Sequence, residues 1–312
     1  MRRIVSFLAL AFGISWTIVG IGALLGVERL HGYAFIVTAA LSMFGPAVAA
    51  ILQQRYLDKS PLSGLGLPLD GTRWKFVGLT MLVGVCIIPL ALLVAGVLGD
   101  VLGSSAFGHV ELSQERVLAS IREQTEAAGI KSDPTSRLLE GMQVPGWAIL
   151  VTILLGVVVI ACSFNLPAML GEELGWRGYL FQATARWSGV RRVGFTGVVW
   201  GLWHAPIIAM GHNYPDHPVL GIFLMVVFCT LLAVLFDWSR WRTTSVWAPC
   251  VLHGIINGSA GGFVLFAWSG HPLVGSPVGA AGLIAIAVLA ALVLLLDGAY
   301  RAQFIAKRSS AS

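Results

Sequence analysis

Residues 146–178 have the sequence GWAILVTILLGVVVIACSFNLPAMLGEELGWRG. Most of this stretch is an apolar run long enough to cross a bilayer, because a spanning helix needs about 20 such residues. It ends in two adjacent carboxylates, Glu172 and Glu173, followed by Arg177. A charged side chain inside a membrane helix costs roughly 2.5 to 3.5 kcal/mol even on the most lenient insertion scale. The stretch therefore predicts a membrane-spanning helix that carries functional polar groups.

The composition of the whole chain agrees with this prediction. Of 312 residues, 57% are apolar and only 11% are charged, and the mean hydropathy is +0.83. Soluble proteins average about 25% charged residues, so the composition indicates an integral membrane protein. The net charge of +5 comes from basic residues in short patches between apolar runs. That arrangement is typical of membrane topology, so a lipid bilayer is the expected partner and nucleic acid is not.

Eight apolar runs qualify as spans, which predicts an all-α polytopic bundle of about eight transmembrane helices. They cover residues 4–27, 33–53, 76–102, 146–170, 193–211, 218–237, 244–268 and 277–296. Basic residues concentrate in alternate connections, so the positive-inside rule predicts a multi-pass protein of the cell membrane with both termini in the cytoplasm. These residues are Arg2, Arg3, Arg55, Lys59, Arg73, Lys75, Arg186, Arg191, Arg192, Arg240, Arg242, Arg301, Lys307 and Arg308.

The polar motifs all lie in the middle of the chain, which suggests three parts. Residues 1–140 hold the first three spans and most of an external loop, in which residues 113–128 have helical composition. Residues 141–270 form the expected catalytic core. Residues 271–312 supply the last transmembrane helix and a cytoplasmic tail.

The first motif pairs a carboxylate with a cation on one helix face. Glu173 and Arg177 are four residues apart, so they share a face and can form an ion pair. Glu172 points about 100° away and stays free, because successive residues of an α-helix are offset by that angle. An unpaired carboxylate of this kind is suited to act as a general base.

Two further motifs place imidazoles at a similar depth. His204 follows Arg192 by twelve residues, or about 18 Å along a helix, and His253 follows Arg242 by eleven, or about 16 Å. Asn257 is four residues past His253 and shares its face. Each motif alone has an ordinary structural explanation, such as a salt bridge or a polar contact between helices. Together they predict one active site near the middle of the membrane.

Two prolines affect whether these groups can meet. A straight helix from Gly146 would carry Glu172 past the inner surface, away from the deeper histidines. A kink at Pro167, or a tilt of the helix, would bring the carboxylates inward. Pro206 should loosen the backbone next to His204 for the same reason.

These motifs resemble those of the CPBP family, also called the Abi family, which includes type II CAAX prenyl endopeptidases and bacterial relatives linked to bacteriocin processing and immunity. The family pattern is Glu-Glu-x-x-x-Arg, then Phe-x-x-x-His, then His-x-x-x-Asn. This chain has the first and third patterns complete, and Trp200 replaces the phenylalanine of the second. Tryptophan keeps an aromatic ring at that position. The resemblance covers residues from about 140 to 260.

The resemblance implies an intramembrane protease with an eight-span fold and a site that opens toward the cytoplasm. Its expected substrate is a membrane-associated peptide or lipoprotein. We expect Glu172, with His204, to activate water for attack on a peptide carbonyl. His253 and Asn257 are expected to donate hydrogen bonds to the oxyanion.

Glu173 and Arg177 are expected to hold the helix and the C-terminus of the substrate. The sequence leaves open whether the enzyme is a metalloendopeptidase. Glu172, His204 and His253 could bind Zn²⁺ with one open position. No His-Glu-x-x-His motif is present, however, and we favour the metal-free mechanism.

Two other classes of function remain open from the sequence. The protein could be a catalytically silent bacteriocin-immunity or scaffold protein that binds a partner through the same groove. It could also be an ion- or proton-coupled transporter in which these residues line the path. The sequence has no internal repeat of the kind common in transporters.

Overall fold

The computed structural model describes residues 1–27, 32–127 and 134–306. In this part of the chain nearly all regular structure is helical, which confirms the predicted all-α class. The two strands are two residues each, β1 (His109–Val110) and β2 (Ala267–Trp268), and they pair antiparallel. Of the basic residues used to predict topology, Lys307 and Arg308 lie outside the described ranges.

The α-helices follow one another along the described part of the chain. In chain order they are α1 (Arg2–Leu24), α2 (Tyr33–Met43), α3 (Gly45–Leu52), α4 (Trp74–Gly96), α5 (Gln114–Ala127), α6 (Pro134–Glu140), α7 (Gly146–Ala161), α8 (Leu166–Glu173), α9 (Phe181–Ala183), α10 (Gly189–Trp203), α11 (Ala205–Ala209), α12 (Pro218–Thr243), α13 (Trp247–Phe266), α14 (Ala280–Leu296) and α15 (Gly298–Ile305). Three π-helical segments extend α3, α4 and α8, and they are Gln53–Leu57, Val97–Val101 and Leu174–Leu180. Two short 3₁₀ helices are Leu62–Leu65 and Ser105–Phe107.

A polytopic membrane bundle is confirmed by the length and composition of the helices. Among the described residues, five helices are long and apolar enough to cross a membrane, or up to seven if two bent pairs each count as one span. The expected span over residues 193–211 is not among them, because it is divided into the shorter helices α10 and α11. The remaining expected spans correspond to α1, α2–α3, α4, α7–α8, α12, α13 and α14.

The helix that carries the two glutamates is bent as the sequence suggested. α7 ends at Ala161, and α8 continues from Leu166 at an angle of 65°. Pro167 lies in the first turn of α8, where its missing N–H costs no helical hydrogen bond. The bend therefore occurs just before the proline, and it turns Glu172 and Glu173 into the bundle.

A second break occurs at His204. α10 ends at Trp203, α11 begins at Ala205, and Pro206 lies in the first turn of α11. His204 is the residue between the two helices. The expected effect of Pro206 on the local helix is confirmed.

Close packing between α10 and α12 fixes the position of this junction. A Cβ at Gly197 would lie 2.4 Å from Thr230 Cα, and one at Gly201 would lie 2.5 Å from Val226 Cα. Both contacts are with backbone atoms, which cannot move aside as a flexible side chain can. Glycine at these positions lets the two helices approach closely.

The segment that was predicted to be external forms the expected helix. α5 covers most of the predicted residues 113–128, of which Ala128 lies outside the described ranges, and its Val117 is buried. Ser120 Oγ donates to the carbonyl oxygens of Val264 and Leu265 at 3.1 and 3.2 Å. These bonds attach α5 to the end of α13. The division of the chain into three parts stays a prediction.

Candidate active site

Four of the six predicted site residues line one cavity of about 310 Å³. They are Glu172 from α8, His204 from the α10–α11 junction, and His253 and Asn257 from α13. The three motifs are far apart in sequence, and the bends described above bring them together. Glu173 and Arg177 are not among the residues that line the cavity.

Glu172 is a buried carboxylate with a defined partner. It is 2% exposed, and its Oε2 accepts a hydrogen bond of 2.8 Å from Trp200 Nε1. Among the described residues no other hydrogen bond to this carboxylate is present. The rest of its acceptor capacity is therefore available to a water molecule or a substrate in the cavity.

Glu173 and Arg177 form the predicted ion pair behind the cavity wall. Arg177 Nη1 lies 3.0 and 2.9 Å from the two carboxylate oxygens of Glu173, and both side chains are at most 2% exposed. Neither side chain lines the cavity, and their expected hold on the C-terminus of a substrate stays a prediction. Glu173 Oε1 also lies 2.8 Å from His253 Nδ1.

The Arg177 guanidinium is held largely by aromatic rings. Its Cζ lies 4.2 Å from the ring centroid of Trp200 and 4.1 Å from that of Phe236, a cation–π arrangement. Its Nη2 has no hydrogen-bond partner within the described ranges. The rings and Glu173 together balance this buried positive charge.

The hydrogen bonds of the two histidines define which ring nitrogen is free. His204 Nδ1 lies 2.8 Å from the carbonyl oxygen of Trp200, and a carbonyl oxygen can only accept. Nδ1 therefore carries the hydrogen, and Nε2 is left as the nitrogen that can take a proton. The same argument makes His253 Nδ1 the donor to Glu173, so His253 Nε2 is the nitrogen available to the cavity.

Asn257 stands at an exposed point of the cavity wall. Its Nδ2 lies 3.7 Å from Met169 Sδ, and a thioether is a weak acceptor. The amide therefore keeps most of its hydrogen-bonding capacity for a ligand.

The cavity walls are mainly apolar outside these four residues. Its other lining residues are Ala39, Ser42, Met43, Ile87, Ile88, Trp200, Trp203, Ile207, His212, Asn213, Met225, Phe228, Cys229, Leu232, Phe236, Ile256, Ala260, Pro277 and Val278. An apolar enclosure with a few convergent polar groups is typical of a ligand site.

The cavity extends toward one end of the bundle. His212 and Asn213 lie in the connection between α11 and α12, and Pro277 and Val278 lie in the connection before α14. None of the lining residues comes from the basic connections, which lie at the other ends of α10 and α12. The cavity therefore lies away from the connections predicted to be cytoplasmic, and the side of the membrane on which it opens stays a prediction. In the connection between α11 and α12, burial lowers the pKa of His212, so its imidazole is neutral at pH 7.

Glu172, His204 and His253 were possible zinc ligands from the sequence, and zinc binding by them stays open. Within the described ranges, no group of three or more His, Cys, Asp and Glu side chains is arranged to hold a metal ion. Glu172, His204 and His253 share a cavity but do not meet this condition.

The segment that carries the site is similar to known proteins. Residues 145–259 match the family described as type II CAAX prenyl endopeptidase Rce1-like. This Rce1-like segment contains all six predicted site residues, and the match confirms the resemblance inferred from the motifs. A CAAX prenyl protease 2 from Methanococcus maripaludis is 43% identical over 44 residues. That alignment spans 14% of this chain and 16% of the relative.

Two contacts of the Rce1-like segment were not predicted from the sequence. The first joins Glu173 to His253 over 80 positions, and no local spacing rule connects residues that far apart. The second joins Trp200 to Glu172. The tryptophan at a phenylalanine position was visible in the sequence, and its indole N–H was the signal that could have indicated a polar role.

Proposed function

We propose that the protein is an intramembrane peptidase that hydrolyses a peptide bond of a membrane-associated substrate. The observation that carries the proposal is the convergence of one carboxylate, two imidazoles and one amide on a single apolar cavity. The Rce1-like segment supports the same reaction class.

The proposed reaction begins with a water molecule between Glu172 and His204. The carboxylate, with the imidazole, removes a proton as the water oxygen bonds to the carbonyl carbon of the substrate. When the tetrahedral intermediate collapses, the carbon–nitrogen bond breaks and the same proton passes to the departing amine. The products are a carboxylic acid and an amine, so atoms and charges balance.

His253 and Asn257 are proposed to stabilise the oxyanion. Both line the cavity, and each has a hydrogen-bond donor to offer when His253 is protonated at Nε2. Glu173 favours that protonated form, because its carboxylate accepts from Nδ1 on the other side of the ring. Glu173 and Arg177 then act as positioning residues, since neither lines the cavity.

The cavity favours a substrate with apolar residues around the cleaved bond. Its walls are built largely from aliphatic and aromatic side chains of α2, α4, α12 and α13. A peptide that is anchored to the membrane by a lipid, or is itself apolar, would transfer readily to such walls. Removal of a C-terminal tripeptide after a prenylated cysteine is the specific form of this activity that we propose to test first.

The test is a cleavage assay with purified protein in liposomes. The probe is a synthetic peptide that ends in a prenylated cysteine and three further residues, and an unprenylated copy reports the need for the lipid. We expect cleavage by the wild type and a loss of about 10²- to 10⁴-fold in Glu172→Gln and His204→Ala. Glu126→Gln, an exposed carboxylate on α5, is the control and should keep full activity. Full activity in both site variants would refute the proposed roles.

We propose that this reaction proceeds without a metal ion. The support is the arrangement of the donors, together with a carboxylate and an imidazole placed to activate water directly. Metal analysis of the purified, active protein tests the point. Zinc at one equivalent per chain, lost together with activity on chelation and regained with it, would decide for a metalloendopeptidase.

We also propose that the basic connections face the cytoplasm and that the cavity is entered from the other side of the membrane. The charge bias supports the first part. The lining by His212 and Asn213 supports the second, because Asn213 is exposed and lies at the end of the bundle opposite the basic connections.

Cysteine labelling in intact cells tests this orientation. In a cysteine-free background, Asn213→Cys should react with a membrane-impermeant maleimide, and Lys59→Cys should react only after the cells are opened. The adduct at position 213 should also block cleavage of the probe, whereas an adduct at position 59 should not. The reverse labelling pattern would place the cavity entrance in the cytoplasm.

A further inference from the structure

One aromatic residue contacts four of the six site residues. Trp200 is 2% exposed and lies in the last turns of α10. Its indole Nε1 donates to Glu172 Oε2 at 2.8 Å, and its backbone carbonyl accepts from His204 Nδ1 at 2.8 Å. The two groups that are proposed to activate water are therefore both attached to the same residue.

The indole ring also contacts the residues behind the oxyanion site. The Arg177 guanidinium lies 4.2 Å from the ring centroid, and the His253 ring packs edge-on at a centroid distance of 5.6 Å. The ring itself is held edge-on against Phe236, at 5.3 Å. Trp200 is thus fixed by packing on one side and contacts the site residues on the other.

We propose that Trp200 is a positioning residue for the reaction and that its indole N–H sets the orientation and charge of Glu172. This inference rests on the proposed function. A phenylalanine ring would preserve the contacts with Arg177, His253 and Phe236 in large part. It would leave the buried Glu172 carboxylate without the hydrogen bond from Nε1.

The two hydrogen bonds of Trp200 orient Glu172 and His204, the two groups that are proposed to activate the water. The donor to Oε2 fixes one carboxylate oxygen of Glu172 and leaves Oε1 to accept from the water. The carbonyl of Trp200 fixes the His204 ring and its tautomer. A backbone carbonyl is present whatever the side chain, so substitution at position 200 tests the indole N–H in isolation from the bond to His204.

The experiment compares Trp200→Phe with the wild type in the liposome assay with the prenylated peptide. We expect kcat to fall about 10- to 100-fold, the size of effect associated with a lost hydrogen bond to a charged group, with KM changed by less than about threefold. The acid limb of the plot of kcat against pH should move to higher pH. A carboxylate that loses a hydrogen-bond donor, as Glu172 would here, binds its proton more readily. Loss of packing alone would not move this limb.

Trp176→Phe is the matched control. Trp176 is fully buried in the same part of the bundle, and its Nε1 has no hydrogen-bond partner within the described ranges. Its substitution removes an indole N–H of the same kind without touching Glu172 or His204. We expect kcat and the acid limb to stay within about twofold and a few tenths of a pH unit of the wild type, since no hydrogen bond is lost.

A second variant tests the same hydrogen bond if Trp200→Phe does not fold. Benzothienylalanine at position 200 has nearly the shape of tryptophan but carries sulfur in place of the N–H. It should reproduce the fall in kcat and the shift of the acid limb. Wild-type kcat and an unmoved limb in either folded variant would overturn the inference and leave the proposed function intact. Failure of the wild type to cleave any probe would overturn both.

Discussion

At the residue scale, the carboxylate of Glu173 has two partners with different consequences. Arg177 balances its charge, and His253 receives its orientation from it. The first contact follows from the spacing of the two residues on one helix, and the sequence predicted it. The second depends on how α8 and α13 meet, which spacing within one motif does not determine.

Arg177→Met should destabilise the protein, because it leaves the Glu173 carboxylate buried without its cation. Breaking a buried ion pair from one side typically costs about 3 to 5 kcal/mol. The midpoint of thermal unfolding in detergent should therefore fall clearly below that of the wild type. Adding Glu173→Gln to this variant should restore most of the loss, since neither position of the pair then carries a charge.

The double variant also separates stability from activity. A glutamine at position 173 can still accept from His253 Nδ1, but it has no charge to favour a protonated ring. We expect the double variant to be stable and yet slow in the cleavage assay. An Arg177→Met protein that unfolds at the wild-type temperature would show that the pair has no structural importance.

At the element scale, helix breaks and close helix packing position the site. Pro167 and Pro206 signalled both breaks in the sequence. The sequence did not give the 65° angle or show that residues 162–165 form the bend, because those depend on what α7 and α8 pack against. The spans were predicted from hydropathy, whereas the pairing of α10 with α12 was not.

Gly201→Ala should disturb the site through the backbone. The new Cβ would lie 2.5 Å from Val226 Cα, so α10 and α12 must move apart, and His204 is only three residues away. We expect at least about a tenfold loss of kcat, since small displacements of catalytic groups are costly.

Gly194→Ala is the matched control on the same helix. A Cβ there meets nothing within 4 Å, so the variant should be active. It should be slightly more stable, by about 0.5 to 1 kcal/mol, because alanine favours a helix over glycine. Equal activity of the two glycine variants would contradict the importance that we assign to the α10–α12 contact.

Asp297 attaches α15 to α12 at the end of the last span. Its carboxylate accepts from Trp238 Nε1 at 2.9 Å, from the Tyr300 amide at 2.9 Å and from the Arg242 guanidinium. Burial acts to raise the pKa of Asp297, but the hydrogen bonds from Arg242, Tyr300 and Trp238 outweigh it and lower the pKa to about 2.

Asp297→Asn should therefore destabilise the protein by about 1 to 3 kcal/mol at neutral pH. The folded pKa is below the ordinary value of about 3.9, so this contribution is complete above that value and is lost as the pH falls through about 2. Thermal unfolding of both proteins between pH 7 and pH 2 measures the difference. Asp216→Asn, at an exposed position, is the control and should show no such difference. If the difference in stability between the wild type and Asp297→Asn is the same at pH 2 as at pH 7, the Asp297 carboxylate does not have this stabilising effect.

At the scale of the whole molecule, the sequence predicted the fold class and the convergence of the three motifs. It did not predict the end of the bundle toward which the cavity extends. The composition indicates a membrane protein. Polar side chains in membrane helices usually face the interior of the bundle, so the three polar motifs were expected to lie together. The direction of the cavity depends on which connections cover it. His212 and Val278 line it at the end away from the basic residues, and no motif signalled this.

The central claim is that Glu172, His204, His253 and Asn257 act on one peptide bond inside this cavity. The most direct measurement is an experimental structure with a phosphinic peptide, which mimics the tetrahedral intermediate of peptide hydrolysis. We expect one phosphinyl oxygen within about 3 Å of Glu172 or His204 and the other within the same distance of His253 or Asn257. A phosphinyl group bound outside the cavity, or bound within it with apolar side chains between it and Glu172, would rule out this mechanism.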